Sequence, residues 1–138
     1  MGEAESEQAV NNRKIATILA HAFVGWALCG ATMGIGMAVT SLQNAVVVHA
    51  ILAPVFFALV SLFYFRRFGY TAPLQTAGLF VAFVVVIDFF LVGLVINRSL
   101  EMFTSLLGTW IPFALIFAST YVTGMVVARA PSGRAAAR

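Results

Sequence analysis

Residues 77–96, AGLFVAFVVVIDFFLVGLVI, contain one polar side chain, Asp88, in an otherwise apolar run. At a rise of about 1.5 Å per residue, about 20 helical residues cover the roughly 30 Å hydrocarbon core of a bilayer. A barrel strand needs only about ten residues and alternates strictly between apolar and polar positions. This run does not alternate, so it reads as a transmembrane helix. Three further runs of the same kind flank it, at 15–39, 45–65 and 106–127. Hydrophobic residues make up 62% of the chain and charged residues 9%, where soluble domains carry about 25% charged. The fold class is therefore an all-α integral membrane protein. Its four transmembrane helices are expected to form an up-down-up-down antiparallel bundle over residues 13–128.

The flanks differ in composition. Residues 1–12 (MGEAESEQAVNN) hold three acids and no apolar periodicity, and read as a disordered polar tail. Their acidity, and the length of the run that follows, argue against a cleavable signal peptide. Residues 129–138 read as a flexible basic tail beside anionic headgroups.

Orientation follows from the basic residues. Arg13, Lys14, Arg66, Arg67, Arg129, Arg134 and Arg138 would share one side, and Arg98 alone the other. The positive-inside bias places both termini in the cytoplasm, in a bacterial-type plasma membrane. The net charge of +3 belongs to these dispersed anchors, so no nucleic-acid footprint is expected. Tyr64, Phe65, Phe68 and Tyr70 surround Arg66 and Arg67 as an aromatic belt would. Gly69 and Pro73 then turn the chain.

Small residues mark close approach. Gly25, Gly30 and Gly34 in the first span are expected at helix contacts, and Gly30 with Gly34 forms a G-x-x-x-G. That pattern serves either the bundle or a homo-oligomer, dimeric or larger. Pro54 and Pro112 each remove one helical donor and provide sites of helix bending. Each is followed seven residues later by serine, Ser61 or Ser119, a spacing that would suit a duplicated two-helix unit.

Three ionisable groups fall within the spans: His21, His49 and Asp88. A charged Asp at a membrane helix centre costs about 2.5–3.5 kcal/mol on insertion scales. The helical neighbours of Asp88 are all apolar, so it must be protonated, paired across helices, or facing water. Depth arithmetic places His21 about 9 Å, Asp88 about 16 Å and His49 about 23 Å from the basic end of the bundle. The three would form a ladder suited to relay, with Thr17, Thr32, Ser119, Thr120, Tyr121 and Thr123 adding a polar seam. Thr109, Pro112, Ile116, Thr120 and Thr123 share one stripe of the fourth span. The competing reading is structural, because membrane hydroxyls commonly bond their own i−4 carbonyls.

No catalytic constellation, metal-ligand set or cofactor motif is present in the sequence. Two histidines about 14 Å apart in depth cannot share one iron, and the single cysteine, Cys29, forms no internal disulfide. The leading expectation is a small transporter or channel for an ion or small solute, with Asp88, His21 and His49 as relay groups. One alternative is a non-catalytic subunit or assembly factor that binds a partner membrane protein through its helices. Another is a membrane-embedded binder or enzyme for a lipid or quinone-like ligand, with Trp26, Phe56, Phe57, Phe89 and Phe90 lining the pocket.

Overall fold

A computed structural model describes residues 2–130, which are all-helical with no strand among them. Helix α1 spans Gly2–Val39, α2 Leu42–Arg67, α3 Pro73–Ile87 and α4 Ile111–Arg129. A π-helical segment, Asp88–Ile96, extends α3, and a second, Leu106–Trp110, leads into α4. With these extensions all four helices are long and apolar enough to cross a membrane. The expected basic tail lies outside the described residues from position 131 onward, and with it Arg134 and Arg138.

Local chemistry sets the boundaries. Ser41 caps α2 by accepting the Asn44 N–H at 3.3 Å, which frees α2 to start three residues before the apolar run. Arg66 and Arg67 occupy its last turn, where cations meet the negative end of the helix dipole. The N–H groups of Phe68 and Gly69 both reach the Tyr64 carbonyl, and Gly69 takes φ 59° to make the reversal. Pro73 then opens α3 at a position where its missing donor costs nothing.

The polar start of the chain departs from expectation. Residues 2–12 continue α1 as exposed helix and do not form an irregular tail. Glu3 and Glu5 sit in the first turn, where acids favour the helix. The apolar span supplies the nucleus from which this segment propagates.

Helix α2 packs on α1 and α4, while α3 packs on α4 and α1. The core is aromatic. Phe57, Tyr64 and Phe80 are fully buried, with ring centroids 6.0 Å apart for Phe57–Phe80 and 6.1 Å for Tyr64–Phe80. Tyr64 is therefore a core residue and not a belt residue. Its hydroxyl turns inward to Thr71 at 3.0 Å, and Thr71 bonds Thr76 at 2.6 Å.

Small residues make room for these rings. A Cβ on Gly25 would lie 2.7 Å from the Phe57 ring, and one on Gly36 2.8 Å from the Ala45 methyl. Gly30 and Gly34 behave differently: both are exposed, with nothing within 4 Å of an added Cβ. The G-x-x-x-G therefore makes no contact inside the described chain. Pro54 lies within a continuous α2, and Pro112 sits in the first turn of α4 directly after a π-helical segment. Ser61 and Ser119 are not equivalent, which removes the structural support for a duplicated unit. Ser61 donates across to Thr120 at 3.1 Å, whereas Ser119 bonds its own Ile116 carbonyl.

This packing separates the glycines by experiment. Gly25→Val should destabilise the detergent-solubilised protein by about 1–3 kcal/mol, because it overpacks Phe57. Gly30→Ala should leave the stability of the monomeric form unchanged or raise it by up to about 1 kcal/mol. Equal losses for the two in unfolding titrations would show that the α1–α2 contact is wrongly placed.

Candidate functional site

The apolar run that carries Asp88 changes its helical form at that residue. The Asp88 N–H is shared between the Val84 and Val85 carbonyls, and the π-helical segment begins there. Wide turns of this kind occur frequently at functional sites. Asp88 is half-buried, and its Oδ1 accepts a hydrogen bond from Trp26 Nε1 on α1 at 2.8 Å. The partner that Asp88 needed is thus an indole from the neighbouring helix.

The sequence contained a signal for this pair. Trp26 lies eleven residues into the first span and Asp88 eleven into the third, so each sits about 16 Å from the basic end. An indole N–H donates and never accepts, which suits a carboxyl or a carboxylate oxygen equally. No lysine or arginine falls in the central part of any span, and no ion pair forms among the described residues. Asp88 is therefore held by a neutral donor.

The histidines occupy separate surroundings. His21 Nδ1 lies 2.7 Å from the Thr17 carbonyl, and the ring packs against Phe63, Tyr64 and Phe68 at centroid distances of 5.8, 5.4 and 5.3 Å. His49 is half-buried on α2. The α1–α2 register follows from Gly25 meeting Phe57 and Gly36 meeting Ala45. By that register His21 lies about 7–8 Å from the Trp26 level, and His49 about 10 Å away in the opposite direction. The expected spacing of the ladder is close to this, but no side-chain hydrogen bond joins one rung to the next among the described residues.

The hydroxyls of the expected seam divide into two groups. Thr17, Thr32 and Thr123 bond the carbonyls of Arg13, Leu28 and Ser119, each four residues back, as structural hydroxyls do. Thr120 is fully buried and accepts from Ser61 between α2 and α4. Tyr121 is exposed, with its ring stacked on Phe117. The α4 stripe does face inward: Thr109, Pro112, Ile116 and Thr120 are buried, and Thr123 is half-buried. On α1 the inward stripe is Ile18, Ala22, Gly25 and Cys29, one position on from Thr17 and His21. The aromatic residues considered for an apolar ligand do not converge, since Phe57 lies in the core while Phe89 and Phe90 are exposed. Among the described residues no group of three or more His, Cys, Asp or Glu side chains is placed to hold a metal ion.

No protein-family model, curated protein or solved structure matches this chain.

The pair can be tested by NMR of the two indole N–H groups. Trp110 donates to the Phe103 carbonyl at 2.8 Å and serves as the internal reference. Asp88→Leu removes an acceptor and should move the Trp26 resonance alone, while Asp88→Asn keeps an oxygen acceptor and should move it less. A double-mutant cycle of Trp26→Phe with Asp88→Leu should give a coupling of about 0.6–1.7 kcal/mol. No coupling, together with an unmoved Trp26 resonance, would remove the contact.

Proposed function

We propose that this protein is a small multi-pass transporter or channel for an ion or small solute, in which Asp88 takes up and releases the coupled proton or cation. One observation carries the reading: Asp88 turns toward α1, inside its own bundle, and its partner is a neutral donor. A carboxyl paired with a fixed cation would be locked in its charged form. With an indole partner, the hydrogen bond survives both protonation and deprotonation. Because Asp88 points inward, this reading is favoured over one in which it waits on the lipid face for a basic residue of another protein.

The register supports an up-down-up-down path. Numbers fall on α2 as they rise on α1, whereas Ser61 with Thr120 and Phe65 with Gly124 rise together on α2 and α4. The clustering of Arg13, Lys14, Arg66, Arg67 and Arg129 supports an orientation with both termini in the cytoplasm of a plasma membrane. His21 and His49 act as auxiliary relay groups on either side of Asp88. The buried ring of Phe80, eight residues before Asp88 on α3 and packed on Phe57, forms the apolar constriction on the arginine side of Asp88, where dewetting would gate the path.

Proton flux into proteoliposomes carrying a trapped pH-sensitive dye, driven by an imposed potassium diffusion potential, tests the reading. The wild-type protein should exceed protein-free vesicles, and Asp88→Asn should fall to their level. Equal flux for wild type and Asp88→Asn across a pH series would rule out Asp88 as the coupling group.

Four helices enclose little space, so we place the working unit as a homo-oligomer joined through the exposed Gly30 and Gly34 face of α1. A partner membrane protein docking on that face, with this chain as a non-catalytic subunit, is the second reading. Replacing Gly30 and Gly34 together by Leu should convert a cross-linked dimer in vesicles to monomer. A dimer that persists would move the interface elsewhere.

A further inference from the structure

Two adjoining hollows run along the outside of the α1–α2 pair. The first, about 370 Å³, is lined by Ala20, His21, Val24, Leu59, Val60 and Phe63. The second, about 330 Å³, is lined by Leu59, Leu62, Phe63, Arg66 and Arg67. Leu59 and Phe63 belong to both, so one groove passes from apolar walls to a pair of guanidinium groups.

We propose that this groove binds an anionic phospholipid, with an acyl chain against Ala20, Val24, Leu59 and Phe63 and the phosphate at Arg66 and Arg67. In a helix that crosses a membrane these side chains face acyl chains, and the arginines lie at headgroup depth. Both arginines are exposed, and no ion pair forms among the described residues. A guanidinium presents paired donors in a fork that matches phosphate oxygens. Arg13 adds a third cation. It precedes Ala20 by seven residues and Val24 by eleven, which puts all three on one stripe of α1 beside the groove.

Described carboxylates offer no competing partner along this groove. Glu3, Glu5 and Glu7 lie beyond Arg13 on α1, Asp88 is turned to Trp26, and Glu101 sits after the π-helical extension of α3. His21 lines one wall, its ring stacked on Phe63 and its Nδ1 engaged by the Thr17 carbonyl. Charge at one end and an apolar trough behind it are the two features a phospholipid presents in complement. Free phosphate would use only the first.

Native mass spectrometry of the full chain in detergent tests the site, using phosphatidylglycerol, phosphatidylcholine and inorganic phosphate as probes. Phosphatidylglycerol should be retained as a one-to-one adduct, and phosphatidylcholine at least about tenfold more weakly, because its choline ammonium cancels the net negative charge and is repelled by the arginines. Inorganic phosphate should leave no adduct. Arg66→Gln with Arg67→Gln should lower phosphatidylglycerol retention by about tenfold. Val24→Trp, which fills the trough at an exposed position, should lower retention of both lipids. Arg129→Gln, at the same end of the bundle but on α4, should change neither. A loss with Arg129→Gln as large as with the paired substitutions would reduce the effect to diffuse charge. An intact adduct in Val24→Trp, or inorganic phosphate retained as well as lipid, would also overturn the site. The readout needs no flux, so its failure leaves the Asp88 reading untouched, and the reverse also holds.

Discussion

The structure depends on one constraint: a backbone amide in hydrocarbon has no water to bond. Every N–H and C=O at membrane depth must find a partner within the protein, and helices supply those partners locally. Departures from regular helix therefore gather where other groups can close the gap. Beyond Asp88 the bonds widen, with the Asn97 N–H reaching Val92, and before Pro112 the Ile111 N–H reaches Leu106. The connection between these two segments folds back over them. Thr109 donates to the Met102 carbonyl at 2.5 Å and Trp110 to the Phe103 carbonyl at 2.8 Å. The end of the bundle that carries Arg98 is thus held by side chains bonding the backbone of the connection, beside the proline and the two wide turns.

The same constraint explains what could be read from sequence. The four helices were legible because length and apolarity fix a span whatever surrounds it. The inward face of α4 was legible because Thr109, Pro112, Ile116 and Thr120 combine small or stiff side chains with hydroxyls that have partners to reach. The inward face of α1 was not. Thr17 and Thr32 belonged to the expected polar seam, yet each satisfies itself on its own helix, so polarity carried no information about direction. Size did: Gly25 sits where Phe57 needs space, and Ala22 is buried beside it on the same stripe. The helical N-terminal segment escaped the sequence reading for a related reason, since polar composition excludes burial without excluding helix. Gly30 and Gly34 have the spacing of a packing motif, but spacing alone does not name the surface that is packed.

Trp26 shows where depth carries more information than composition. Composition makes it an aromatic wall and leaves its donor without a role. Placed by depth, it is the one indole level with Asp88, and the requirement for a partner across helices then selects it. The Ser61–Thr120 bond could be approached in the same way only after α2 and α4 were known to be neighbours. Nothing in the order of the spans requires that, because sequential helices in a bundle need not alternate around its axis.

On the transport reading, the surroundings of Asp88 also fix where the difficult step lies. Holding the carboxyl with an indole lets it change protonation without losing its partner, so the chemistry at Asp88 itself requires no rearrangement. The obstacle is distance. His21 and His49 stand about 7–10 Å away along the axis, beyond the reach of a direct hydrogen bond, and Phe80, packed on Phe57, fills the core toward the arginine end. A path in that direction therefore has to separate a pair of packed rings, and Phe57 is the one seated on glycine. With no Cβ at Gly25, α1 presents bare backbone to that ring, so a small sliding of α1 on α2 alters the fit at this contact. The glycine that admits this ring is then also the place where packing is released, while Asp88 remains bonded to Trp26, the next residue along α1.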